Sequence, residues 1–201
     1  QGVPFYHAGI DILRSKSMDR NSYNSGDWFN ALDFTYETDG WGHGLPLGGD
    51  NGSMWDVMKP LLGNPDIAPD KDAILMTNAH MREMLEIRKS SKLFRLETAD
   101  DIMARLHFHN TGPDQVPGLI VMSISDLGDL PDLDPEHEMV VVLFNASNEE
   151  ISLTVEELAG MGFTLHPVQV ASADEIVQTP SFDAESGTFT IPAMTTAVFG
   201  L

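Results

Sequence analysis

The sequence predicts a chain of two parts: an α/β segment followed by an all-β segment that forms an antiparallel β-sandwich. Three observations support this. Gly, Asn, Asp and Ser clusters dominate residues 1–70, where little periodicity is visible. One amphipathic helix pattern covers 72–90. After Ser91 the pattern changes to short apolar runs separated by turn residues, which is typical of a sandwich.

Each element has its own signal. Val3–Tyr6 has the apolar character of a short buried strand, and the glycines between 40 and 52 indicate a long loop region. In the helix, Asp70 or Asp72 can cap the start. Apolar and polar residues alternate over 102–109, which predicts a half-buried strand. Further strands are predicted at 119–124, 139–144, 188–191 and 195–201.

Composition excludes several classes of function. The net charge is −20, from 31 acidic and 11 basic residues, so a nucleic-acid backbone or an anionic membrane surface would be repelled. The sequence has no run of about 18 apolar residues, which is the length needed to span a membrane. The absence of cysteine excludes disulfides and thiolate chemistry. This charge does not oppose binding of a neutral partner such as a sugar. Composition does not distinguish a secreted from a cytoplasmic location.

Two groups of residues could bind a metal ion, but for both we favour the interpretation that they are solvent-exposed side chains without a metal. His107 and His109 lie two residues apart, and two imidazoles can begin a zinc site. No further residue of a type that binds zinc lies at the spacing of a known zinc motif, so we expect two solvent-facing histidines. The acidic stretch 126–138 could offer oxygen ligands to calcium but lacks the EF-hand spacing, so a solvated, mobile loop is expected there. We therefore predict neither a metal site nor a cofactor.

The densest polar cluster extends over residues 14–30 and combines charged, amide and aromatic side chains. Arg, Asp and Asn can hydrogen-bond sugar hydroxyls, and Tyr or Trp supplies a flat apolar face. A structural loop and a sugar site are both compatible with this composition. Spacing nominates no pair of carboxylates for hydrolysis of a glycosidic bond.

Five stretches of the sequence are long and unusual. They are LRSKSMDRNSYNSGDWFN at 13–30, LDFTYETDGWGHGLP at 32–46, RKSSKLFRL at 88–96, FHNTGPDQVPGLIVM at 108–122 and GMGFTLHPVQV at 160–170. Together they resemble pullulanases and limit dextrinases, the α-1,6-debranching glucanases, and the similarity keeps its order over nearly the whole chain.

The resemblance implies an architecture. Residues 1–90 would be the last strand, long substrate loop and last helix of a (β/α)8 barrel, and residues 91–201 the β-sandwich that follows it. Because Gln1 opens the sequence directly before an apolar run, we expect it to begin inside a larger protein. The rest of the barrel would then be a required partner, in the same protein or as another chain. Without it, residues 1–70 should be poorly ordered or pack against a neighbour.

The resemblance also implies an activity: retaining hydrolysis of α-1,6 links in pullulan, limit dextrins or related α-glucans. The Asp nucleophile, Glu acid/base and stabilising Asp of the family would precede this sequence, so no catalytic residue is assigned and the chain alone should be inactive. Candidate substrate-binding residues are Asp19, Arg20, Asn21, Asp27 and Trp28. The alternatives are a carbohydrate-binding module and a structural β-sandwich. Against the former, Trp and Tyr all lie before residue 56.

Overall fold

A computed structural model describes residues 2–201, which divide into two compact units. One unit comprises residues 4–81, and the other comprises residues 82–201 together with the described residues 2 and 3. The α-helices are α1 Asp27–Asn30, α2 Gly48–Asn51, α3 Trp55–Leu62, α4 Lys71–Ser90, α5 Ala99–Arg105 and α6 Pro167–Val170. The strands are β1 Leu106–Phe108, β2 Leu119–Ser125, β3 Met139–Asn145, β4 Ile151–Thr154, β5 Thr164–Leu165, β6 Ser181–Asp183, β7 Thr188–Ile191 and β8 Thr196–Gly200.

The unit of residues 4–81 consists of long loops and short helices, as the glycine-rich sequence predicts. The chain over Val3–Tyr6 does not form the predicted strand, and its Phe5 side chain is 97% exposed. A strand needs a neighbour to pair its backbone groups, and these residues have none among residues 2–201. The predicted helix is confirmed as α4, and Asp70 caps it by accepting a 2.8 Å hydrogen bond from the Ala73 amide.

The unit of residues 82–201 contains two antiparallel sheets, which confirms the antiparallel sheet class. The larger has the strand order β1-β2-β3-β8-β5, and the smaller β4-β7-β6. Apolar side chains of both sheets form one core, which includes Val141, Leu143 and Phe199 from the larger sheet and Phe189 and Ile191 from the smaller. Burial of these side chains supplies the main stabilisation of the unit.

The larger sheet is covered on its other face as well. There Ile124 and Val140 pack with Leu93 and Leu96, which precede α5. Strand β3 therefore has buried side chains on both faces, which explains its nearly continuous apolar sequence.

Residues 99–105 form helix α5 rather than the first part of the predicted 102–109 strand. The Thr98 side chain caps the helix by accepting a 3.1 Å hydrogen bond from the Asp101 amide. The alternation over 102–105 was misleading because Arg105, assigned to the polar face, is only 2% exposed. Its guanidinium forms an ion pair with Asp126 and donates a 2.7 Å hydrogen bond to the Pro131 carbonyl.

The acidic stretch 126–138 is not uniformly solvated. Asp126 Oδ2 accepts backbone hydrogen bonds of 2.7 Å from Leu133 and 2.8 Å from Asp134, and its side chain is 3% exposed. The prediction of a solvated loop is therefore wrong for Asp126 and for Asp134, which is buried. Within residues 2–201, no helix is both long and apolar enough to cross a membrane.

Candidate functional site

The polar segment after Ser17 turns sharply in the unit of residues 4–81. Ser17 and Met18 both have positive φ, at 47° and 63°, so the chain reverses just before Asp19. The buried Ser17 hydroxyl holds this turn: it donates a 2.8 Å hydrogen bond to the Gly40 carbonyl and accepts one of 3.2 Å from the His43 amide. The turn thus fixes the backbone from which Asp19 and Arg20 extend.

Asp19 accepts hydrogen bonds on both carboxylate oxygens. The Asn21 amide donates to Oδ1 at 3.1 Å, the Asn51 side chain donates to Oδ1 at 2.9 Å, and the Ser25 hydroxyl donates to Oδ2. Partial burial raises the pKa of Asp19, but these donors and the charge of Lys16 outweigh it and hold the pKa below its usual value. Asp19 is therefore a fixed anion at neutral pH.

Arg20 and Asn21 are exposed, as are Asp27 and Trp28 of the predicted set. The Arg20 side chain is 73% exposed and approaches Asp50 at 3.5 Å, a contact that solvent weakens. The Asn21 side chain accepts a 3.4 Å hydrogen bond from the Tyr23 amide and so caps the 3-10 helix Ser22–Asn24. Most of the Arg20 guanidinium donors are available to a ligand.

An open hollow of about 540 Å³ lies beside these residues. It is lined by Lys16, Arg20, Asn21, Ser22, Tyr23 and Asn30. The Tyr23 side chain is 88% exposed, so the hollow combines cationic and amide donors with an available aromatic ring. This combination suits a ligand that has both hydroxyl groups and an apolar face.

Of the five predicted substrate residues, only Arg20 and Asn21 line the hollow. Asp19 does not line it and is held by hydrogen bonds from Asn21, Ser25 and Asn51. Asp27 opens helix α1 and Trp28 follows it; the Trp28 ring is 49% exposed and lies 4.0 Å, centroid to centroid, from the Phe29 ring. Neither Asp27 nor Trp28 lines the hollow.

The sequence did not identify five residues of this site as candidates. Four of them line the hollow and stand inside the polar segment: Lys16, Ser22, Tyr23 and Asn30. The fifth is Asn51. Asn51 is 1% exposed and binds both the Asp19 carboxylate and, at 3.1 Å, the Arg20 amide. It stands 32 residues beyond Asp19, in a glycine-rich stretch without periodicity, so no spacing connects the two.

A second polar cluster lies in the unit of residues 82–201. Ligand atoms of His107, His109 and Glu157 all lie within 4.8 Å of one another. The His109 side chain is only 5% exposed, so the expectation that both histidines face solvent is wrong for His109. Glu157 stands 48 residues beyond His109, in the 3-10 helix Glu156–Leu158, which explains why sequence spacing did not reveal it.

The chain was compared with known protein families, and one family matches most of its length. Residues 36–200 match the family described as alpha-1,6-glucosidases, pullulanase-type, C-terminal. The chain belongs to this family. This confirms the resemblance read from the sequence motifs.

Individual pullulanases extend the match. The chain is 51% identical to chloroplastic pullulanase 1 of Arabidopsis thaliana over 203 residues, which is 99% of the chain and 21% of that protein. It is 38% identical to a Klebsiella pneumoniae pullulanase over 205 residues, which is all of the chain and 18% of that protein. The chain thus spans about a fifth of the length of these relatives.

Solved structures of pullulanases have the same fold. PulA from Klebsiella oxytoca matches with a TM-score of 0.83 and 35% identity, over 96% of this chain and 18% of that one. A maltotriose complex of PulA from Klebsiella pneumoniae matches with a TM-score of 0.84 and 34% identity, over 96% of this chain and 20% of that one. The family match over residues 36–200 covers most of the unit of residues 82–201 and the second half of the unit of residues 4–81.

Proposed function

We propose that this chain is the C-terminal part of an α-1,6-glucosidase that hydrolyses branch links in pullulan, limit dextrins or related α-glucans. Its sequence identity to pullulanases over its whole length is the observation that carries the proposal. The catalytic acids belong to polypeptide outside this sequence, so the isolated chain is inactive. Residues 91–201 form a sandwich that stabilises the catalytic part.

Residues 1–90 complete a (β/α)8 barrel in this proposal, with Val3–Tyr6 as the eighth strand. Val3 is 93% exposed and Phe5 is 97% exposed, which is unfavourable for apolar side chains unless another surface covers them. Pairing with a barrel strand would bury these side chains and satisfy their backbone groups. The rest of the barrel is thus the partner that this segment requires.

The loop after that strand forms part of the glucan cleft. Arg20 and Asn21 donate hydrogen bonds to hydroxyls of a bound glucose, and the fixed Asp19 carboxylate accepts one. Tyr23 extends the surface with an aromatic face, on which a sugar ring packs. Asp27 and Trp28 do not line the hollow, and in this proposal they border the cleft beyond it, from helix α1. The maltotriose complex of the related PulA is consistent with a short α-glucan as ligand.

Hydrolysis of pullulan by the complete polypeptide tests this function. The parent protein should release reducing sugar, and Arg20→Ala should lower kcat/KM at least tenfold because a charged hydrogen bond to substrate contributes about 1.5–3 kcal/mol. Arg82→Ala is the matched control, because Arg82 is an exposed arginine of the other unit and should leave kcat/KM unchanged. Equal kcat/KM for the parent and Arg20→Ala would show that Arg20 does not bind the substrate. A parent protein that does not hydrolyse pullulan would overturn the proposed enzymatic function.

A further inference from the structure

His107 and His109 lie at the edge of the larger sheet, on the side that faces the sandwich core. His107 is directly opposite Ser123 in the β1–β2 pair, and the His109 amide donates a 2.9 Å hydrogen bond to the Val121 carbonyl. Ser123 and Val121 are both buried, and Val121 belongs to the inter-sheet core. The two imidazoles therefore extend on one side of the sheet, His107 from edge strand β1 and His109 from the residue directly after it, next to a buried apolar core.

Glu157 approaches the histidines from a different element. Its 3-10 helix is anchored by Leu158, which is buried in the same core. Glu157 Oε1 lies 3.0 Å from His109 Nδ1, while the carboxylate remains 63% exposed. A nitrogen from each of two histidines and a carboxylate oxygen thus converge from two separately anchored segments.

His109 has a partner that would orient it as a ligand. Its Nε2 lies 2.8 Å from the Ser123 hydroxyl, so the ring is held by one nitrogen while the other points at Glu157. Histidines that bind metal generally donate their second ring N–H to such an oxygen, which fixes the tautomer and the ring orientation. With a metal on Nδ1, His109 would have this arrangement, with Nε2–H donating to the Ser123 hydroxyl.

We propose that His107, His109 and Glu157 bind a divalent late transition metal ion of the Zn²⁺ type, with water completing the coordination. Two imidazoles and one carboxylate suit Zn²⁺, whereas Ca²⁺ and Mg²⁺ prefer sets of oxygen ligands. His109 binds through Nδ1. Its proton moves from Nδ1, where it faces the Glu157 carboxylate, to Nε2, so the neutral ring changes tautomer without net proton release. The ion connects edge strand β1 to the 3-10 helix Glu156–Leu158.

The geometry requires only a small adjustment. Bond lengths of about 2.0–2.1 Å in a tetrahedral site imply ligand separations of about 3.4 Å. The ligand atoms here are within 4.8 Å of one another, and His109 and Glu157 are already 3.0 Å apart. His107 and Glu157 are both exposed, so a side-chain rotation of His107 can close the remaining distance without moving the core. The net charge of −20 also favours cation binding.

Calorimetric titration of the chelator-treated 201-residue chain with Zn²⁺ tests this site. We expect one saturable equivalent, and we expect His107→Gln and Glu157→Gln each to raise Kd at least tenfold. Both residues are exposed, so these variants should keep the fold, which circular dichroism checks. Imidazole NMR spectra should show the His109 resonances changing on Zn²⁺ addition, with Nδ1 losing its proton.

His80→Gln is the matched control, because His80 is an exposed histidine on helix α4 and its replacement should leave Kd unchanged. Ca²⁺ should not compete at equal concentration. Three results would each overturn the proposal: no saturable Zn²⁺ binding by the folded chain, an unchanged Kd in His107→Gln, or equal weakening by His80→Gln. The test does not involve glucan, so its outcome is independent of the proposed hydrolytic function.

Discussion

The side-chain amide of Asn51 donates a 2.9 Å hydrogen bond to the Asp19 carboxylate, although 32 residues separate them in the chain. The carbonyl oxygen of the same side chain accepts a 3.1 Å hydrogen bond from the Arg20 amide. Asn51 thus fixes the charge of one candidate sugar-binding residue and the backbone of the next. The position of the loop depends on a residue that would not itself touch the substrate.

Asn51→Ala should loosen this loop. The change leaves the Arg20 amide and one acceptor site of Asp19 without their partner, which costs about 1–3 kcal/mol for groups shielded from water. Amide hydrogen exchange should report faster exchange at Arg20. Asn64→Ala is the control, because the Asn64 side chain also accepts a backbone hydrogen bond, of 3.0 Å from the Asp66 amide, but lies elsewhere in the loop region. Unchanged exchange at Arg20 in Asn51→Ala would show that the loop is held by other contacts.

The sequence revealed those features that depend on local pattern. Helix α4 has a 3.6-residue periodicity and an acidic cap, and strands such as β3 have unbroken branched apolar runs, so both were predictable. Strands β4, β5 and β6 were missed because they are short, with two to four residues each, and are defined by their neighbours. Short elements of this kind depend on tertiary pairing rather than on local preference.

The candidate sites illustrate the same limit. Arg20 and Asn21 could be nominated as candidates because the motif around them resembles a known family, and their role in binding stays a prediction. Asn51 and Glu157 were not, because each meets its partners only after folding brings distant segments together. Arg105 was misassigned to a solvent face because alternation alone cannot distinguish an exposed arginine from one buried against a carboxylate.

Arg105→Met should destabilise the unit of residues 82–201. It would leave the Asp126 carboxylate, which is 3% exposed, without its cationic partner, and breaking a buried pair in this way costs about 3–5 kcal/mol. Urea unfolding followed by circular dichroism should show a lower midpoint. Arg95→Met is the control: Arg95 is exposed and donates only a 3.3 Å hydrogen bond to the Lys89 carbonyl, so its loss should have little effect. Equal midpoints for the two variants would contradict the structural role of Arg105.

Gly187→Ala should also destabilise this unit, because Gly187 has φ +72° in the turn between β6 and β7. A Cβ there would lie 2.6 Å from the Val155 carbonyl oxygen, so alanine would meet both an unfavourable backbone conformation and a steric clash. Together these should lower the free energy of unfolding by more than about 1 kcal/mol. Gly162→Ala provides the comparison, because no atom lies within 4 Å of its added Cβ. Thermal unfolding should therefore show a lower Tm for Gly187→Ala alone, and equal losses in both variants would rule out this explanation.

His166 should make stability depend on pH. Its Nδ1 accepts a 3.2 Å hydrogen bond from the Val168 amide and its Nε2 lies 3.0 Å from the Ser90 hydroxyl, so the folded state requires the neutral ring. Burial, and then the stacked His137, lower the pKa of His166, while Glu86 opposes them. As the pH falls below 6.5, the usual pKa of His, His166 binds a proton in the unfolded chain while it is still neutral in the folded chain. The free energy of unfolding therefore decreases as the pH falls. The decrease stops once the pH is below the lowered pKa of His166 in the folded chain.

His166→Asn isolates this effect. Asn can accept from the Val168 amide as a helix cap but does not titrate, so the variant should lose less stability than the parent between pH 7.5 and pH 5.5. Urea unfolding at several pH values measures the difference. Because burial also lowers the pKa of His109, part of the pH dependence should remain in the variant. A difference between parent and variant that is constant over this range would contradict the assignment.

The central claim is that the loop from Asp19 to Trp28 forms part of a glucan cleft, and amide hydrogen exchange on the complete polypeptide tests it most directly. Exchange is compared with and without saturating maltotriose. We predict slower exchange at residues 19–23 when the sugar is bound, and no change in the 3-10 helix Glu156–Leu158 of the other unit, which serves as an internal reference. Bound maltotriose that leaves exchange at residues 19–23 unaltered would contradict the claim.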